Sequence, residues 1–158
     1  MMKKTLDAFA LVVLLICCSA LAHDPGLSNL RIVVAESEIN LTLHLSAHDL
    51  QTVLSDAGSE TEESEDLRAL ARELIGTRLI SVRRVAEADG DRKIICRYSA
   101  PSGAWPLAVE VPFLQRLARG HRMYAVVVDA RGRQIGEALL HAGNNRLMLT
   151  RPAPKAAP

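Results

Sequence analysis

The sequence is poor in the residues and motifs that build catalytic and recognition sites. Aromatic residues make up only 3% of the chain, which disfavours stacking on sugars or nucleobases. It contains no nucleophile elbow, dinucleotide-binding glycine pattern, phosphate-binding loop, zinc-protease motif or paired-cysteine motif. Serine, histidine and aspartate all occur, but no motif predicts that they are neighbours in space. We therefore expect a protein that is not an enzyme.

An excess of charge of one sign is also missing. The chain carries 19 basic and 18 acidic residues. Lys3, Lys4 and Asp7 belong to the N-terminal segment discussed below, and the rest of the chain holds 17 of each sign. A neutral balance argues against nucleic acid, or an anionic membrane surface, as the main partner.

The sequence has too few cysteines outside its N-terminal segment to form a stabilising disulfide. Two of the three cysteines, Cys17 and Cys18, lie in the N-terminal segment. Cys96 is left alone, so no disulfide within the domain is expected. Its neighbours Ile94, Ile95 and Tyr98 are typical of a strand, and we predict a buried, inert thiol rather than a nucleophile.

Residues 1–22 have the pattern of a cleaved secretory signal peptide. A basic head at Lys3 and Lys4 precedes an unbroken apolar run over residues 8–16, and Ala20-Leu21-Ala22 supplies small residues for cleavage. Even when counted to Ala22, the apolar stretch falls short of the roughly 20 residues that span a bilayer as a helix. The alternatives are an uncleaved anchor and a lipoprotein modified at Cys18.

This pattern predicts the compartment of the protein. No later segment is apolar enough to cross a membrane, so we expect no transmembrane segment in the mature chain. The abundance of arginine and alanine hints at a bacterial source. We therefore expect a periplasmic or secreted protein.

The mature chain is predicted to be a single domain, residues 23–150, that consists mainly of β-strands. Apolar and polar residues alternate, or β-branched residues cluster, in about eight segments separated by turn residues. The predicted strands cover residues 30–35, 39–45, 78–86, 92–99, 107–111, 123–129, 134–141 and 146–150. This spacing favours an immunoglobulin-like β-sandwich. Residues 151–158, rich in proline and alanine, are expected to form a disordered tail.

A short helical insertion is predicted between the second and third strands. Ser46 is a helix N-cap candidate ahead of residues 47–54, with Asp49 in the acidic position of a capping box. Residues 55–66 hold six acids and no base, which is typical of a solvated loop and does not fit the ligand spacing of an EF-hand. A second helix is predicted over residues 66–75, with an apolar face formed by Leu67, Leu70, Ala71 and Leu74.

Several short segments resemble a bacterial family. His23-Asp-Pro-Gly-Leu-Ser28 follows the cleavage site, and the segment 47–50 follows two strands. Gly120-His-Arg122, an apolar strand, an Arg-Gly turn and the segment 137–140 come later. The chain thus resembles the extracytoplasmic N-terminal domain of HupE/UreJ-type membrane proteins over most of residues 20–150. That family is associated with nickel or cobalt permeation through a membrane domain with a His-Pro and Asp-His motif. This sequence carries neither the membrane domain nor the motif, so the resemblance implies at most a role beside a membrane protein.

Cleavage after Ala22 would create a metal chelate at His23. An N-terminal histidine offers its α-amine and its ring Nδ1 to one ion, and such nitrogen ligands favour copper(II) or nickel(II). His44 or His48 could add a further ligand, with Asp24 or Asp49 nearby in the sequence. The alternative is that a histidine follows the cleavage site by chance and that the other histidines are ordinary surface or strand residues.

Two classes of function therefore remain open. A periplasmic binding or accessory module, for a metal or for a membrane partner, requires His23 and one more histidine to converge. A structural or protein-interaction domain with no small ligand requires instead an exposed apolar patch or an open sheet edge.

We predict that the exported protein begins at His23. Because signal peptidase cuts after the small residue of the A-x-A pattern, mass spectrometry of protein recovered from its host should give the mass of the chain from His23 onward. Intact Met1 in a membrane fraction would contradict cleavage and favour the anchor.

Overall fold

The computed structural model describes residues 26–54, 64–88, 91–103 and 105–151. It contains eight strands in two sheets, two α-helices and one 3₁₀-helix over Pro112–Gln115. The strands are β1 Leu27–Val34, β2 Glu38–Leu45, β3 Leu79–Ala86, β4 Arg92–Ser99, β5 Leu107–Glu110, β6 Arg122–Asp129, β7 Gln134–His141 and β8 Arg146–Leu149. The mainly β class predicted from the alternation of the sequence is thereby confirmed.

The two helices form the predicted insertion between β2 and β3. Helix α1 spans Ala47–Val53 and helix α2 spans Glu65–Leu74. The Ser46 hydroxyl caps α1 by accepting a hydrogen bond from the backbone N–H of Asp49 at 3.0 Å. Ser64 caps α2 in the same way through the N–H of Leu67, at 3.2 Å. Both helices therefore begin within one residue of their predicted positions.

The larger sheet has six strands in the order β3-β4-β2-β1-β6-β7. All neighbouring strands in it are antiparallel except β1 and β6, which run parallel. These two strands pair over the whole length of β1, from Leu27 opposite Arg122 to Val34 opposite Asp129. The N-terminal strand thus lies at the centre of the sheet, between a strand close to it in the sequence and one far from it.

One face of this sheet forms the core. Because side chains alternate along a strand, in-register pairing stacks the apolar residues of neighbouring strands on one side. Leu30 lies opposite Leu43 on β2 and opposite Ala125 on β6, and all three are buried. The opposite face carries Asn29, Arg31 and other exposed side chains.

The second layer consists of the helices and a two-stranded sheet. Helix α2 buries Leu67, Leu70, Ala71 and Leu74, the four residues predicted from their spacing. Strands β5 and β8 pair with each other, and Val109 and Leu149 from this pair join the same core. The result is a β-sandwich-like arrangement in which the second sheet is small and helices complete its layer.

Several predicted details can be compared with the structure. Cys96 is a buried free thiol on β4, as expected, and Trp105 packs against the core. Strand β1 begins three residues earlier than predicted, at Leu27, because its pairing with β6 extends order to that point. The signal segment, His23, Asp24, the acidic residues 55–63 and the tail from residue 152 onward lie outside the described residues.

None of the helices in the described part of the chain combines the length and the apolar character needed to cross a membrane.

Tyr98 ties the sheet to the helical layer. Its ring is fully buried on β4, and its hydroxyl donates a hydrogen bond of 2.6 Å to the backbone carbonyl of Ala71 in α2. Burial raises the pKa of Tyr98, so the hydroxyl stays protonated and remains a donor at every physiological pH.

We predict that Tyr98→Phe lowers the free energy of unfolding by about 1–2 kcal/mol, because the buried Ala71 carbonyl loses its side-chain donor while the ring still fills its space. Chemical denaturation measures this difference. Tyr124→Phe is the matched control: that tyrosine is exposed and bonds Glu137 at the surface, so its loss should change stability little. Equal effects of the two substitutions would contradict this role of Tyr98.

Candidate functional site

His44, one of the predicted metal ligands, lies near the end of β2 in a surface ion-pair group. Its Nδ1 is 3.2 Å from Oε2 of Glu87, and Nζ of Lys93 is 2.6 Å from the other oxygen of that carboxylate. The pKa of Glu87 is lowered, mainly by the hydrogen bond from Lys93 and further by the hydrogen bond from His44. Burial acts in the opposite direction but does not outweigh these two bonds. The ring of His44 thus already has a partner in this structure.

His48 and Asp49 occupy the first turn of α1. His48 is exposed. Asp49 points back toward the start of the helix, and its Oδ2 accepts a hydrogen bond of 2.8 Å from the Ser46 hydroxyl. Among residues 26–54, 64–88, 91–103 and 105–151, no group of three or more histidine, cysteine, aspartate and glutamate side chains is arranged to hold a metal ion. His23 and Asp24, the other two predicted ligands, lie outside these ranges.

His121 is one of two histidines, with His141, that sequence reasoning did not select. It directly precedes β6 and is only 2% exposed. Its Nε2 lies 2.9 Å from the hydroxyl oxygen of Ser28 on β1, and that oxygen lies 3.5 Å from the carbonyl oxygen of Arg122. If Ser28 donates its hydrogen to this carbonyl, it accepts one from Nε2. The contacts therefore favour the tautomer with Nε2 protonated and a free lone pair on Nδ1.

The Nδ1 atom of His121 is buried, and none of the described residues forms a hydrogen bond with it. The nearest charged group is Asp49, whose Oδ1 is 3.9 Å away, too far for a hydrogen bond. A buried polar atom without a partner is uncommon in native proteins, because its desolvation is not compensated. The unpartnered Nδ1 therefore singles out His121 as the candidate position for a ligand.

Gly26 lies against the same edge of the His121 ring. A Cβ at position 26 would come within 2.4 Å of Nδ1, and the glycine has a positive φ of 80°. Its carbonyl accepts a hydrogen bond of 3.2 Å from the N–H of Arg122, which fixes it to the start of β6. The missing side chain thus allows the N-terminal end of β1 to lie close to His121.

This contact limits how far His23 can lie from His121. A fully extended chain advances at most about 3.6 Å per residue, so the three residues from position 23 to position 26 span no more than about 11 Å. Gly26 itself is in contact with the ring of His121.

A surface pocket of about 650 Å³ adjoins the same region. His121 forms part of its lining, together with Arg119, Arg122 and His141. His141 accepts a hydrogen bond of 3.2 Å from the N–H of Gly143 through its own Nδ1. The pocket therefore gives solvent a route to the neighbourhood of His121, and its charged lining side chains are basic.

Cys96 does not contribute a reactive group. It is fully buried, and this burial raises the pKa of its thiol to about 11. The thiolate is the nucleophilic and metal-ligating form. Cys96 therefore stays protonated at neutral pH and acts as a core residue.

The reason that sequence reasoning missed His121 is its distance along the chain from its neighbours. Ser28, Asp49 and His121 come from three separate parts of the sequence. The triplet Gly120-His121-Arg122 ahead of an apolar strand was visible, but nothing in it indicates which side chains face the ring. The parallel pairing of β1 with β6 brings Ser28 to His121, and the pairing of β2 with β1 places the helix that carries Asp49 at the same end of the sheet.

We predict that Gly26→Ala destabilises the domain more than Gly132→Ala does. Both glycines have positive φ values, of 80° and 78°, so each alanine incurs a similar backbone cost of roughly 1–2 kcal/mol. A Cβ at Gly132 meets nothing within 4 Å, whereas one at Gly26 overlaps the His121 ring. The additional loss at Gly26 measures this overlap, and denaturation of both variants determines it.

Nuclear magnetic resonance of the histidine rings gives a second measurement on the same pair. The ring signals of His121 should shift in the Gly26→Ala variant and stay in place in the Gly132→Ala variant. Equal loss of stability and unchanged His121 signals would show that Gly26 is not packed against the ring.

Comparison with known proteins adds no family to this picture: neither a protein-family model nor a curated protein matches the sequence. What can be concluded about function therefore comes from the contacts around His121, Asp49 and Gly26.

Proposed function

We propose that this chain is an exported, non-enzymatic binding module that takes up copper(II) or nickel(II) at its mature N terminus. The observation that carries this proposal is the position of Gly26 against His121. It limits the distance between His23 and a buried histidine whose Nδ1 has no hydrogen bond from any described residue. The proposal requires that His23 and a second histidine converge, and His121 is our candidate for the second.

The chemistry of the N terminus supports the choice of ion. The α-amine and the ring Nδ1 of an N-terminal histidine chelate one ion, and copper(II) and nickel(II) prefer such nitrogen ligands. An ordinary α-amine has a pKa of about 7.7–8.0, so a metal ion displaces its proton readily at neutral pH. No additional residue is needed to activate the chelate.

The proposed module would work beside a membrane protein. Export places it outside the cytoplasm, and its resemblance to the extracytoplasmic domain of HupE/UreJ-type proteins suggests a partner that handles the same class of ion. The module would then hold or deliver the ion, and any transport would belong to the partner.

We predict that one extra methionine ahead of His23 weakens copper(II) binding at least tenfold, because it turns the free α-amine into an amide while every side chain is kept. Isothermal titration of the processed and the extended proteins with copper(II) measures the difference. His23→Ala should also weaken binding. If the extended protein binds as tightly as the processed one, the N-terminal chelate is wrong.

A second function is favoured by one specific observation, a group of exposed apolar side chains on the outer face of the larger sheet. Tyr124 on β6 lies directly opposite Leu139 on the edge strand β7, and both are exposed. Leu27, on the same face of β1, is 62% exposed. Apolar groups beside an open sheet edge are typical of protein-interaction surfaces. On this alternative, the chain is an interaction domain with no small ligand.

If this alternative holds, we predict that the exposed patch can be crosslinked to a protein partner. The experiment replaces Leu139 with a photo-crosslinking amino acid in the producing cells and detects covalent products after illumination. Ile80 is the matched control, because it is comparably exposed on the opposite edge strand, β3. Products at position 139 and none at position 80 would support the interaction surface. Products at neither position, or at both equally, would contradict it.

A further inference from the structure

We propose that the surface pocket beside β6 and β7 binds a small amphipathic carboxylate, an acid with a charged head and a short apolar body. The pocket has a volume of about 650 Å³, and sites for small molecules typically measure roughly 300–1,000 Å³. The site is separate from the proposed metal chelate, because neither the N terminus nor a metal ion contributes to it. Every residue that lines it lies between positions 114 and 142.

A tight turn brings two arginines to this pocket. The backbone N–H of His121 donates a hydrogen bond of 2.9 Å to the carbonyl of Ala118, which closes the turn. Gly120, the third residue of the turn, has a positive φ of 92°, a conformation that glycine adopts without strain. Arg119 and Arg122 flank this glycine and the buried His121, and both line the pocket. The turn and the start of β6 thus supply two positive charges to one cavity.

These positive charges are not neutralised by neighbouring acids. None of the residues that line the pocket is acidic. In the part of the chain that the structure describes, the guanidinium groups of Arg119 and Arg122 form no ion pair with a carboxylate. Asp49, the acid nearest to His121, does not line the pocket. Both guanidinium groups are therefore available to an anion, and their planar arrangement of donors matches a carboxylate.

His141 adds a hydrogen-bond donor beside one of these arginines. Its Nδ1 accepts a hydrogen bond of 3.2 Å from the N–H of Gly143, so the neutral ring carries its proton on Nε2. His141 lies directly opposite Arg122 in the pairing of β6 with β7. Residues opposite each other in an antiparallel pair have Cβ atoms about 5 Å apart. This separation allows the two side chains to bind the two oxygens of one carboxylate.

The rest of the lining suits a hydrocarbon body. Leu114, Leu117 and Leu139 all line the pocket. The first two are buried, whereas Leu139 is 44% exposed. Leu139 precedes His141 by two residues on β7, so both side chains lie on the same face of the sheet. An inorganic anion would leave the leucine surface in water, whereas an acid with an apolar chain covers it.

The test measures octanoate binding by titration calorimetry to the wild-type protein, to Arg122→Gln and to Arg131→Gln. Glutamine stays polar but removes the charge. Arg131 is the matched control, an exposed arginine in the turn at the other end of β6. We expect the dissociation constant to rise at least about tenfold for Arg122→Gln, because hydrogen bonds between charged groups are the strong ones. It should stay unchanged for Arg131→Gln.

Two further probes separate the charged head from the apolar body. Octanamide keeps the chain but is neutral, and acetate keeps the charge but has almost no chain. Both should bind at least about tenfold more weakly than octanoate. Ring signals of His141 in nuclear magnetic resonance spectra should shift with octanoate, which locates the ligand in this pocket.

Three results would overturn the proposal. The first is equal binding of octanoate and octanamide, and the second is equal loss of octanoate binding in Arg122→Gln and Arg131→Gln. The third is an absence of octanoate binding while vesicles containing phosphatidylglycerol sediment the wild-type protein but not Arg122→Gln. That outcome would assign the arginines to a lipid headgroup in a membrane instead of a free acid.

Discussion

The parallel pairing of β1 with β6 is the constraint on which the rest of this structure depends. It joins the first strand of the domain to a strand far along the chain and places both at the centre of the sheet. Parallel neighbours require a long connection between them, and here that connection contains β2, both helices, the β3–β4 hairpin, β5 and the 3₁₀-helix. The pairing thus decides which elements cover the core and which residues meet at the N-terminal end of β1.

The proposed site is a direct consequence of this pairing. Leu27 faces Arg122 across the two strands, so the residues just before each strand, Gly26 and His121, also lie side by side. Helix α1 then contributes Asp49 from above the same end of the sheet. A buried histidine without a hydrogen-bond partner on Nδ1 costs stability unless something binds there.

The apolar patch on the outer face and the buried His121 lie near the same end of the larger sheet. Leu27 follows Gly26 directly and is exposed on the face opposite the core. Tyr124 lies three residues after His121 on β6. A partner that docked on this face would therefore sit close to the start of β1. The metal-binding proposal also needs such a surface, since an accessory module must both hold its ion and contact the protein that receives it.

The sequence alone determined the elements of this fold. Two local patterns located these elements: the alternation of apolar and polar residues in β2, and the helical spacing of Leu67, Leu70, Ala71 and Leu74. Local patterns predict strand and helix positions because they reflect which side of each element is buried. The buried state of Cys96 and the cap at Ser46 are local in the same sense. What the tertiary structure decided was which strands are neighbours and, with that, the identity of the candidate site. His121, Ser28 and Asp49 lie on separate elements, and their proximity depends on long-range pairing that no local pattern encodes. The sequence therefore drew attention to His44 and His48, which are close to His23 along the chain, whereas the fold brings His121 together with Gly26, Ser28 and Asp49.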